Sequence, residues 1–198
     1  MLKTFHLDKT GSMLGIAAAL VLTQPTLAGD MDLRAFGGSV ACGGNHFDRL
    51  GGTEAHRTGY VVKNYNPKQS VFIDRVQVFD AQGNSLFDSN VSGLPTFGNN
   101  VLGPTDNDLG PNQTAVLYSW DVLSEPLGVD ERPMQVVFTW TADGKVLVPD
   151  IVLARITRER LEIKDPAGNV IGEQLGEERA RALGTCRHIA ISKGKGGH

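Results

Sequence analysis

Turn signals punctuate this chain at short intervals, and between them lie runs too short for helices and alternating with the period of a strand. Asn66-Pro67, Asp80-Ala-Gln-Gly-Asn84, Thr141-Ala-Asp-Gly-Lys145 and Asp165-Pro-Ala-Gly-Asn169 carry the Asn, Asp, Pro and Gly residues that reverse a backbone. Residues 71–80 (VFIDRVQVFD) set Val76 and Val78 on one side and Arg75 and Gln77 on the other. Residues 115–120 (AVLYSW), 134–140 (MQVVFTW) and 146–156 (VLVPDIVLARI) read as further strands, the last broken by Pro149. This pattern predicts a mainly β chain, an antiparallel immunoglobulin-like β-sandwich. The 24 glycines follow no collagen period and fit a turn-rich fold.

Outside that core the chain changes character. Residues 29–57 form a glycine-rich lead-in without a clean period, with one short strand expected at residues 39–42. The sandwich core is read over residues 58–164, and a hairpin and helix extension over residues 165–198. Within the extension, residues 173–183 (EQLGEERARAL), ended by Gly184, predict one short C-terminal helix with Glu177 and Arg181 as an i,i+4 pair.

The N-terminus reads as a targeting segment. Lys3 and Lys9 precede the apolar run of residues 13–22 (MLGIAAALVL), and small residues follow at Thr26 and Ala28. A helix needs about 20 apolar residues to cross a bilayer core, so this short run predicts a cleaved signal peptide, residues 1–28, cut after Ala28. A periplasmic or secreted location follows, with no transmembrane segment in the mature chain. In an oxidising compartment an even pair of cysteines is expected to close, so Cys42 and Cys186 are read as a disulfide tying the chain's ends.

The cadence of Tyr60-Val-Val-Lys-Asn64, Asn66-Pro67, residues 73–83 (IDRVQVFDAQG) and residues 109–114 (LGPNQT) resembles small secreted bacterial β-sandwich modules. Residues 137–140 (VFTW) and 148–153 (VPDIVL) look like the closing strands of an uncharacterised periplasmic family related in shape to the sensory rhodopsin transducer. The resemblance covers roughly the middle half of the chain. Its motifs are those of strands and turns, so it implies a fold and carries over no catalytic residue.

For function, a net charge of -3 gives no global footprint for nucleic acid. Gly-x-Ser-x-Gly is missing, which argues against a familiar nucleophile elbow. Glu54 and His56 form a conceivable acid–base pair for a hydrolytic enzyme, the third-ranked reading. The leading expectation is an exported, non-catalytic binding or interaction module with no cofactor and a protein or carbohydrate partner. Its contact surface is placed on the long loop of residues 94–110, with Phe97, Asn99, Asn100, Asp106 and Asp108 as ligand contacts. Phe97 reads equally well as packing that loop onto the core. Asp106, Asp108 and Gly110 fall short of a calcium loop and read as a solvated turn. The arginines at 155, 158, 160, 179, 181 and 187 alternate with glutamates and read as a solvated mixed-charge face. The alternative function is a copper or zinc protein using Cys42, His46, Cys186 and His188, since a meeting of the two cysteines brings their histidines along.

Overall fold

Alternating burial sorts the side chains of this chain onto the two faces of its strands, and the strands onto two antiparallel sheets. The computed structural model describes residues 34–99, 103–105 and 107–192. Its strands are β1 (Arg34–Gly44), β2 (Phe47–Arg49), β3 (Glu54–Lys63), β4 (Val71–Phe79), β5 (Ser85–Asp88), β6 (Phe97–Asn99), β7 (Gly103–Thr105), β8 (Asp108–Leu109), β9 (Thr114–Tyr118), β10 (Met134–Leu147), β11 (Asp150–Lys164), β12 (Val170–Thr185) and β13 (Arg187–Ser192). A single helical turn, α1 (Ser89–Ser92), follows β5. The first sheet has the order β13-β1-β10-β4-β5, with β8 also on β4. The second runs β12-β11-β3-β9-β6-β7, with β2 also on β3.

The two sheets share one core. Val40, Val76, Val136, Phe138 and Trp140 come from the first, and Tyr60, Val62, Leu117 and Ile151 from the second. Tyr60 meets Phe138 edge to face across the gap, with ring centroids 5.4 Å apart.

The glycine-rich lead-in supplies β1, an eleven-residue strand rather than the short one expected. Its glycines serve close approach. A Cβ on Gly38 would lie 2.4 Å from the Ala190 carbonyl oxygen and 3.2 Å from the Trp140 indole nitrogen. Likewise, Asp143-Gly144 does not reverse the chain. β10 runs through it as a bulge, taking five steps from Thr141 to Val146 while β1 takes two, from Gly37 to Ala35.

The expected C-terminal helix is corrected to β12, a sixteen-residue strand. The cause is the turn before it. The Asp165 carboxylate accepts from the backbone of Ala167 and Asn169 and from the Asn169 side chain, closing a tight reversal. That reversal lays the next residues along the open edge of β11, whose backbone groups need partners. Arg158 of β11 then pairs with Glu178 of β12 across the strands, and Glu177 pairs with Arg179 on one face. Favourable cross-strand pairing outweighs a modest helix propensity.

Two buried asparagines hold three of the passages between the sheets, at residues 64–70, 110–113 and 148–149. The Asn64 amide faces the carbonyls of Gln69, Leu109 and Gly110 at 2.8, 2.9 and 3.0 Å. Its oxygen accepts from the Asn66 backbone and side chain. Asn66 in turn donates to the Leu147 carbonyl and accepts from the Leu147 N–H. Another crossing, from β12 to β13, sits at Cys186. There the predicted disulfide to Cys42 of β1 is present, closing a sequence separation of 144, and the Cys186 N–H donates to Ile151 of β11.

Two stability outcomes follow. Asn64→Ala should cost about 2–3 kcal/mol in urea unfolding, because it strands buried carbonyls. Asn64→Asp should cost more despite its matching shape, since it points a carboxylate oxygen at carbonyl oxygens. Equal stability of the Asp variant and the parent would refute the assignment. The double variant Cys42→Ser, Cys186→Ser should lose about 4 kcal/mol measured the same way under oxidising conditions.

Candidate ligand-binding face

On β3 the core takes Tyr60 and Val62, so alternation turns Ala55, Arg57, Gly59 and Val61 to the opposite side of the second sheet. On β11 the core takes Ile151, and Ala154, Ile156, Arg158 and Arg160 face outward. The register aligns them: Ala154 lies across from Gly59, Ile156 from Arg57 and Arg158 from Ala55. Small and apolar side chains therefore occupy one end of the outer face, and guanidinium groups the other.

The apolar end is a trough of about 300 Å³ lined by Gly59, Val61, Val116, Tyr118, Ile156 and Ala180, among others. Its floor is low because Gly59 and Ala154 are adjacent and small. A Cβ on Gly59 would come within 3.2 Å of the Tyr118 ring, so the missing side chain lets that ring lie against the strand. Tyr118 stacks on Trp120 with ring centroids 4.3 Å apart, and Arg158 sits over the Trp120 ring, also at 4.3 Å.

Beyond Trp120 lies a second cavity of about 220 Å³, lined by His46, Arg57, Trp120, Arg158, Arg160 and Leu175, among others. Arg57 is buried and committed: it donates to the carbonyls of Phe47 and His56 and pairs with Asp48 at 2.8 Å. Arg160 is looser, half-exposed and 3.9 Å from Asp48. His46 is 1% exposed. Its Nδ1 lies 3.0 Å from the Ser119 hydroxyl, and its Nε2 is buried without a hydrogen-bond partner. Ser119 also accepts from the Thr58 N–H and lies 3.3 Å from the Asn45 carbonyl. That hydroxyl donates to the Asn45 carbonyl, so its 3.0 Å contact with His46 is met when Nδ1 carries the ring proton. Burial, then the neighbouring Arg57 charge, holds the His46 pKa down at about 4, against a smaller opposing effect of Asp48. His46 is thus a neutral ring at the cavity wall, with its Nε2 unpartnered.

The residues expected to form the site are placed differently. Of the two readings of Phe97 the structure shows the packing one, its side chain fully buried with its ring 6.3 Å from that of Phe138. Strand alternation on β6 turns it inward while Gly98 lines the trough. Asn99 ends β6, and Asp108 is exposed on β8, across from Phe72. Asn100 and Asp106 lie outside the described residues, as does the whole N-terminal segment read as a signal peptide. Glu54 and His56 do meet, and Arg155 donates to the other His56 nitrogen at 2.7 Å. Both ring nitrogens of His56 thus have partners within the protein.

The metal reading loses its thiolates to the disulfide. Its histidines also part: His46 turns to Ser119, and His188 lies on β13 across from Val40. Among the described residues no group of three or more His, Cys, Asp or Glu converges. Again among the described residues, no helix is long and apolar enough to cross a membrane.

Sequence reasoning passed over Arg57, Trp120 and the pairing of Arg158 with Arg160 as a site. Period-two spacing from Ala154 to Arg160 carries the signal, hidden once the arginines are read as a solvated run. In comparisons with protein-family models, curated proteins and solved structures, nothing matches this chain.

A pH titration tests the His46 environment. The folded ring binds its proton more weakly than the unfolded ring, whose pKa is near the ordinary 6.5. The unfolded state therefore takes up the extra proton between about pH 6.5 and 4, and stability falls as pH drops through that window. His46→Asn should flatten the fall in urea midpoint by about one proton's worth. The weakly held protons of His56 and His188, both depressed by burial, supply the remainder. An unchanged slope in the variant would exclude His46 as its source.

Proposed function

We propose that this chain is an exported, non-catalytic ligand-binding module, an immunoglobulin-like β-sandwich whose working surface is the outer face of the second sheet. The observation that carries the reading is the pair of adjoining concavities on that face, the Gly59 trough and the arginine-lined cavity beyond Trp120. Binding sites are concave, with apolar walls and a few convergent polar groups, and this face has that composition. The loop of residues 94–110, expected to be the contact surface, contributes through Gly98 at the trough's rim and buries its aromatic ring.

Export is supported by the basic, apolar and small-residue succession of residues 1–28, with cleavage after Ala28, and by a disulfide that an oxidising compartment would keep closed. The mature protein is placed in the periplasm or outside the cell. The cadence of the middle of the chain, similar to small secreted modules, points the same way.

The test is an amide chemical-shift map recorded with a fragment set spanning neutral, cationic and anionic compounds. Shifts should gather at Gly59, Val61, Ala154 and Ala180. Responses confined to the outer face of the first sheet or to residues 94–110 would overturn the reading.

A further inference from the structure

The two concavities lie in line along the same strands. Each step of two residues keeps to one face, so Gly59 and Val61 of β3 continue into Arg57 and Ala55, and Ile156 of β11 continues into Arg158 and Arg160. A single elongated molecule can occupy both ends, apolar at one and polar at the other.

Charge selects the polar end's sign and size. Arg57, Arg158 and Arg160 face the cavity, and the carboxylates paired with them are Asp48 and Glu178. Three guanidinium groups against two carboxylates leave one positive charge, which a monoanion would neutralise and a dianion would exceed. A donor is ready for it: Arg160 holds only the 3.9 Å contact to Asp48. In the same lining the buried His46 Nε2 has no hydrogen-bond partner.

At the other end the trough offers Gly59, Ala154 and Ala180 as a low floor between Tyr118 and Ile156, with Glu178, paired to Arg158, also in its lining. An alkyl chain laid there buries apolar surface, a gain an anion alone lacks.

We infer that the outer face of the second sheet binds a linear medium-chain monocarboxylate, its carboxylate on Arg160 and Arg158 and its alkyl chain in the Gly59 trough. This rests on the reading of that face as the binding surface and adds the ligand's chemistry.

The experiment is calorimetric titration of the oxidised full-length mature chain with octanoate, acetate and octan-1-ol. Octanoate should bind, with acetate and octan-1-ol each at least tenfold weaker, since each supplies one end only. Arg160→Gln should weaken octanoate at least tenfold while leaving the urea midpoint unchanged, as the residue is half-exposed and loosely held. Ala180→Trp, at an exposed position of the edge strand, should fill the trough and reduce octanoate to the level of acetate.

Absence of octanoate binding overturns the inference. So do octan-1-ol binding as tightly as octanoate, and an Arg160→Gln variant that binds unchanged. If octanoate fails while neutral or cationic fragments still shift Gly59, Val61, Ala154 and Ala180, the carboxylate assignment falls and the binding face stands. If no fragment shifts those amides, both fall.

Discussion

Three separate passages of the chain from one sheet to the other depend on the side chains of Asn64 and Asn66. A two-sheet fold has to turn its backbone at each crossing, and there the carbonyls lose the ladder partners that strands provide. Asn64 answers for the ends of two crossings, through Gln69, Leu109 and Gly110, and Asn66 for the third, through Leu147. Because each asparagine is both donor and acceptor, the pair acts as one unit, and its relative buried position leaves water no share in the bonding. Hydrophobic burial sets the sheets face to face without specifying where strands begin. The amide network supplies that register at one end of the molecule.

The geometry of the outer face follows from this. Arg57 and Ile156, and Gly59 and Ala154, are neighbours because β3 and β11 pair without a bulge over their whole common length. β3 leads into the Asn64 crossing and β11 leaves the Val148-Pro149 crossing, so the network fixes both strands at the same end. The outer face proposed to bind thus owes its alignment to residues on the core side of the sheet.

The fold class was legible in the sequence because alternation in β4 and β10 is strong, with Val76 and Val78 or Val136, Phe138 and Trp140 all turned to the core. Two elements were not. The glycines of β1 look like loop residues until Trp140 and Ala190 are seen pressed against Gly38, a contact made with residues far away in sequence. The residues of β12 favour a helix locally, and it is the Asp165 turn together with the waiting edge of β11 that makes them a strand. The disulfide was readable from number and compartment alone. The site was legible in part: His46 was singled out as a ligand in the alternative metal reading and lines the arginine cavity, and Phe97 was read both as a contact and as core packing, the second being what its burial shows. Arg57 and Trp120 became functional candidates only when register placed them beside Arg158. Spatial convergence across strands leaves little trace in a linear pattern of residue types.

The position of β1 has a consequence for the order of assembly. Its two neighbours in the sheet are β10 and β13, both drawn from late in the chain. A chain released from its N-terminus onward therefore carries β1 with neither edge satisfied until β10 appears, and with one edge open until the last described strand arrives. Pairings of such sequence separation are entropically costly to nucleate and fold slowly. Its pairing is in effect postponed until β13 has emerged, so the first sheet stays unclosed along that edge until then.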